Sequence, residues 1–312
     1  MSNCADDLPE NPSPRPEPSN AVPAWGRVPS PVQGERSSAD ASGQGDSAFA
    51  LAAPNPANTQ PAELVPAAAD PAWSGWDVLR LAFVAVVALF AGVFGVLLIF
   101  HWWLYPHARL GEIARFPLVA VGGQSLAYLL IVAYMYVLVT RERRRPDFLA
   151  AIHWNWPANI GAYVLLGIAL SLGLQGLAHL LPIPKELPID NFFRTPTEVW
   201  AIGILSVTLA PLMEELFFRA FLYPVLARRL GLPIAVVLTA VGFALLHVAQ
   251  LGFTWGPVLI IFVVGIVLTM VRAKTNSVAA GVLIHMAYNG TIFAIMFYAT
   301  AGFRHLDKLS SQ

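Results

Sequence analysis

Residues 199–227 read VWAIGILSVTLAPLMEELFFRAFLYPVLA, a 29-residue apolar run broken by two adjacent carboxylates and one guanidinium, Glu214, Glu215 and Arg219. About 20 apolar residues in helical form cross the ~30 Å hydrocarbon layer of a bilayer. A surface helix of a soluble domain would carry a polar stripe along its whole length, and this run has none. The two glutamates therefore fall where charge is costly, and an intramembrane carboxylate is read first as functional. Working outward, six further apolar stretches occupy residues 81–100, 116–140, 160–181, 234–251, 253–271 and 278–301. Only helices and closed barrels satisfy their backbone groups in lipid, and these runs lack the ten-residue alternation of barrel strands. The fold class expected is all-α, a polytopic transmembrane bundle of about seven helices.

Composition agrees, with 56% hydrophobic and 12% charged residues and a mean hydropathy of +0.60. The chain has zero formal net charge and no basic face, so nucleic acid is not expected as a partner. A single cysteine, Cys4, excludes an intramolecular disulfide framework. Residues 1–71 hold 13 of the 25 prolines and 9 acidic against 3 basic residues. The organisation expected is a disordered Pro/Ala/Ser-rich tail over 1–72, a helical domain over 73–303 with a core at 199–301, and a short tail at 304–312. Trp73, Trp76, Trp102 and Trp103 read as interfacial anchors at the ends of the first span. Arginines and lysines in short loops, among them Arg141, Arg143, Arg144, Arg145, Arg228, Arg229, Arg272 and Lys274, favour a cytoplasmic N-terminus.

On a helix, Glu215 and Arg219 (i, i+4) lie about 40° apart, whereas Glu214 is about 140° from Arg219. Glu215 thus reads as the arginine's structural partner and Glu214 as a group that must find company on other helices. His247 in the fifth run and His285 with Asn289 in the seventh supply it. Counted from the same ends of their helices at 1.5 Å per residue, Glu214, His247 and His285 fall at depths of about 16 to 21 Å, one layer.

Glu214-Glu215-x-x-x-Arg219, Phe243-x-x-x-His247 and His285-x-x-x-Asn289, in this order on successive apolar helices, resemble the CAAX protease and bacteriocin-processing (CPBP, or Abi) family of intramembrane proteases. The resemblance implies an endopeptidase acting on a membrane-associated protein or peptide, prenylated CAAX-type or bacteriocin-like, in a multi-pass protein of a bacterial inner membrane. It implies that Glu214 is the general base, that His247 helps activate the water, and that His285 and Asn289 stabilise the oxyanion. Glu215 and Arg219 would brace the site, and Phe243 would pack the helix that presents His247. No cofactor is required by this scheme. Two imidazoles and a carboxylate are also the ligand set of a catalytic zinc site, so Glu214, His247 and His285 would hold zinc in a rival mechanism, although no compact H-E-x-x-H helix is present. A catalytically silent immunity or scaffold protein and a proton-coupled transporter are the readings outside proteolysis; the intact motif set speaks against the first, and the lack of an internal repeat against the second.

Overall fold

A computed structural model describes residues 71–184, 187–193 and 195–306. The tail expected over 1–72 and the last residues of the one expected over 304–312 lie largely outside these. Among the described residues every regular element is helical. The long elements are α1 Gly75–Ile99, α2 Pro117–Val137, α3 Ile160–Ala178, the pieces of a broken fourth span, α4 Pro196–Val207, α5 Leu209–Glu215 and α6 Tyr223–Leu230, then α7 Leu232–His247, α8 Trp255–Thr275 and α9 Val278–Ala299. Among the described residues six helical stretches are long and apolar enough to cross a membrane, which makes this a multi-pass architecture. The fifth run departs from expectation: α7 is only 16 residues long and stops at His247. Gly252 and Phe253 beyond it adopt positive φ, and the Ile189 amide donates to the Gln250 carbonyl, so the chain turns back into α8 instead of continuing to Leu251.

The outer surface is a lipid-type surface. Phe83, Phe90 and Leu129 are 70%, 76% and 69% exposed, and so many bare large side chains are untenable in water. Inside, helices pair along small residues. A Cβ on Gly92 of α1 would lie 2.3 Å from the Gly123 carbonyl oxygen of α2, and one on Gly123 would lie 2.5 Å from Val93 Cα. Dispersion and close backbone approach, rather than hydrophobic exclusion, hold such pairs together in a bilayer. Their polar ends are stitched as well: Ser74 and Asp77 form a capping box at the start of α1, Asp77 receives Arg143 from beyond α2, and Arg80 pairs with Glu142 at 2.9 Å.

Two interfacial assignments are corrected. Trp76, Trp102 and Trp103 are exposed as anchors should be, but Trp73 is 2% exposed and stacks on Phe221 with ring centroids 4.5 Å apart. Its indole Nε1 donates to the Phe221 carbonyl at 3.0 Å, a bond that would be lost at the surface. Arg272, counted above as a loop cation, is 1% exposed in the last turn of α8. The guanidinium is held inside by backbone and side-chain acceptors, so it contributes nothing to a loop charge count.

Candidate active site

The fourth span is broken where its sequence withholds backbone donors. Pro211 has no N–H for the Val207 carbonyl and its ring crowds that carbonyl; α4 ends at Val207, and Thr208 takes φ −116°, ψ −79° before α5 begins. Glu214 and Glu215 close α5, and residues Leu216–Leu222 continue as a π-helix. Such wide turns concentrate at functional sites. The π register ends at Pro224, the second residue of α6.

Glu215 and Arg219 form the pair expected from their spacing: Arg219 Nη1 lies 2.8 Å from Glu215 Oε1 and both side chains are 0% exposed. Glu215 Oε1 also meets His285 Nδ1 at 3.1 Å. A carboxylate already paired with a guanidinium can only accept, so His285 uses its Nδ1–H on Glu215. Glu214 faces the other way and is partly open, its side chain 21% exposed. Its Oε2 lies 3.6 Å from His285 Nε2 and its Oε1 4.0 Å from His247 Nε2. His247 Nδ1 is 2.9 Å from the Phe243 carbonyl, which also only accepts, so Nδ1 carries the proton there. With both rings neutral, two Nε2 lone pairs and a carboxylate converge on one spot. All three are acceptors. A water, with two hydrogens to give, is the small molecule that such a spot orders.

Phe243 does more than pack its helix. Its ring lies 4.5 Å beneath the Arg219 guanidinium carbon, 5.0 Å from the His247 ring and 5.7 Å from the His285 ring. A buried guanidinium over a phenyl face gains a cation–π contact where water is excluded. Arg219 Nη2 donates to the Gly265 carbonyl at 3.2 Å, which also accepts from Thr269 Oγ1 at 2.7 Å. Asn289, one turn along α9 from His285, donates through Nδ2 to the Ser206 carbonyl at 2.8 Å, beside the break before Thr208. One of its amide hydrogens is therefore committed and the other is free of that bond.

Sequence reading overlooked two groups. Gly281 is the first: a Cβ there would sit 2.5 Å from Glu215 Oε2, an oxygen with no hydrogen-bond partner. Gly281→Ala should push the buried carboxylate off Arg219 and His285. We expect thermal stability to fall, read as melting temperature in detergent; an unchanged value would refute this fit. The second is the pair Gln124 and Tyr128 on α2, where Gln124 Nε2 donates to the Tyr128 hydroxyl at 2.6 Å. Tyr128 is within electrostatic reach of Glu214. An amide and a phenol four residues apart in an apolar span were the available signal.

Two imidazole lone pairs and a carboxylate are chemically suited to zinc, but among the described residues no group of three His, Cys, Asp or Glu side chains is drawn close enough to hold an ion as arranged.

All seven motif residues lie on the segment that contains this geometry. Residues 196–291 match the type II CAAX prenyl endopeptidase Rce1-like family. The resemblance to the CPBP family read from the motifs is thus borne out over that core. The chain is also 27% identical over 130 residues, 42% of its own length and 68% of the relative's, to the UPF0177 protein YbdI of Lactococcus lactis subsp. lactis (strain IL1403). No solved structure matches. The Rce1-like segment comprises the fourth span through most of α9 and leaves out α1, α2 and α3.

Proposed function

We propose that this chain is an intramembrane endopeptidase that hydrolyses a peptide bond of a membrane-associated substrate with a water activated by Glu214. The observation that carries the reading is the convergence of the Glu214 carboxylate with the Nε2 lone pairs of His247 and His285. Water held by Glu214 and His247 loses a proton to Glu214 as its oxygen bonds to the substrate carbonyl carbon. His285 Nε2, 3.6 Å from Oε2, then takes up that proton. The resulting imidazolium is braced at Nδ1 by Glu215, and it can donate to the tetrahedral oxyanion or to the leaving nitrogen. The C–N bond then breaks to give a carboxylate and an amine. This assigns the oxyanion role of His285 to its charged form, because its neutral Nδ1–H is spent on Glu215. The free amide hydrogen of Asn289 is a second donor to the oxyanion.

The Rce1-like match supports a CAAX-type or other lipid-anchored tail as substrate, and the bacterial source of the YbdI relative supports a bacterial cell membrane as the location. Loop arginines 141, 143, 144 and 145 favour a cytoplasmic N-terminus. A zinc enzyme is the second reading, favoured by the same two lone pairs; zinc would polarise the carbonyl and lower the pKa of its bound water. The purified protein in detergent, incubated with a membrane-peptide library, separates the two. Cleavage indifferent to chelator and lost in His247→Ala is the expected result; inactivation by chelator with recovery on adding zinc would replace the glutamate mechanism, and no cleavage of any library peptide by wild type would count against proteolysis.

A further inference from the structure

A π-helix bonds each amide to the carbonyl five residues back. At the end of the π segment the Tyr223 amide donates to the Phe218 carbonyl, one such step. The next step would bring the amide of residue 224 to the Arg219 carbonyl, but residue 224 is proline and has no hydrogen to give. That carbonyl is bonded instead from outside the helix, by Arg272 Nε of α8 at 3.2 Å. Arg272 is buried without a carboxylate, its Nη1 on Asn276 Oδ1 and its Nη2 without a partner. Asn276 Nδ2 is in turn 3.1 Å from His153 Nδ1, which fixes the amide's orientation. Two residues on, the Phe221 carbonyl receives Trp73 Nε1. The π segment directly after the two glutamates is thus gripped at two carbonyls by side chains from α8 and from the residues just before α1.

We propose that Arg272 is a positioning residue: it replaces the backbone donor that Pro224 withholds and so locks the π register that sets Arg219, Glu215 and, through Glu215, His285. Trp73, outside the Rce1-like segment, is the second clamp on the same turn. The kinetic part of this inference rests on the endopeptidase reading; the structural part does not.

The test is a rescue. Arg272→Met removes the foreign donor while keeping an apolar stem of similar length, and kcat should fall about tenfold at little-changed KM, the fold-change expected for one buried acceptor left unsatisfied. Pro224→Ala restores an N–H at the position the π register asks for, so the double variant Arg272→Met/Pro224→Ala should recover most of the loss, while Pro224→Ala alone stays near wild type. Trp73→Phe, which keeps the stack on Phe221 and deletes only the indole donor, should lower kcat in the same sense. Hydrogen exchange of the Phe218 to Tyr223 amides is followed in parallel, with acceleration expected in Arg272→Met and reversal in the double variant; Val119→Ala, a buried change at the start of α2 outside the apolar cluster that packs on Leu216, Ala220 and Phe221, serves as the control that should leave these amides alone. A double variant as impaired as Arg272→Met in rate and exchange, or an Arg272→Met protein indistinguishable from wild type in both, would overturn the proposal. Should the wild-type protein cleave no peptide of the library, the endopeptidase reading fails, and the exchange data alone decide the clamp.

Discussion

Glu214→Gln should abolish hydrolysis, lowering kcat by about 10²- to 10⁴-fold, with a melting temperature close to that of wild type. The substitution keeps the shape of the side chain, and a carboxamide can donate to an imidazole lone pair, so the three groups stay together. It cannot take a proton from water. Stability should change little because Glu214 is one-fifth exposed and carries no arginine partner. Glu215→Gln is the informative companion. It should also reduce turnover, by loosening His285 and Arg219, but it should lower the melting temperature at the same time, since the buried Arg219 guanidinium loses its charge partner. Initial rates on a peptide cleaved by wild type, with the melting temperature of each variant in the same detergent, check both statements. A Glu214→Gln rate within threefold of wild type would remove Glu214 as the base and leave water activation to the histidines.

The opposite facing of the two glutamates was legible because four-residue spacing and a five-residue offset point opposite ways on any helix. His247 and His285 were legible through depth, since titratable residues at one level on neighbouring spans are able to meet. What could not be read was set by long-range packing. Trp73 and Arg272 stand at the ends of apolar runs, where tryptophan and arginine ordinarily mark the membrane surface, and only the carbonyls they reach, 221 and 219, reveal that they turn inward. The π turn has no periodic signature, and a proline at 224 does not by itself announce a change of register before it. The end of α7 at His247 was hidden because the apolar run continues for four residues past the helix. Gly281 required knowing which oxygen lies opposite it.

Arg219→Met should be the most destabilising single change in the core, costing about 3 to 5 kcal/mol. With the guanidinium gone, Glu215 remains at 0% exposure with the His285 Nδ1–H as its nearest donor and Oε2 already without one. Relief comes only by taking up a proton or drawing in water, and either disturbs His285. Phe243 loses the cation above its ring, while the Gly265 carbonyl keeps Thr269. Removing both charges separates the two consequences: Arg219→Met/Glu215→Leu should recover most of the stability, as apolar replacements of buried ion pairs often do. Hydrolysis should stay low, because His285 then has nothing at Nδ1 to orient it or to balance its positive form. Denaturant titration in detergent measures the first effect and initial rates the second. Full activity in the double variant would mean that the pair braces the fold alone, and His285 would need another anchor.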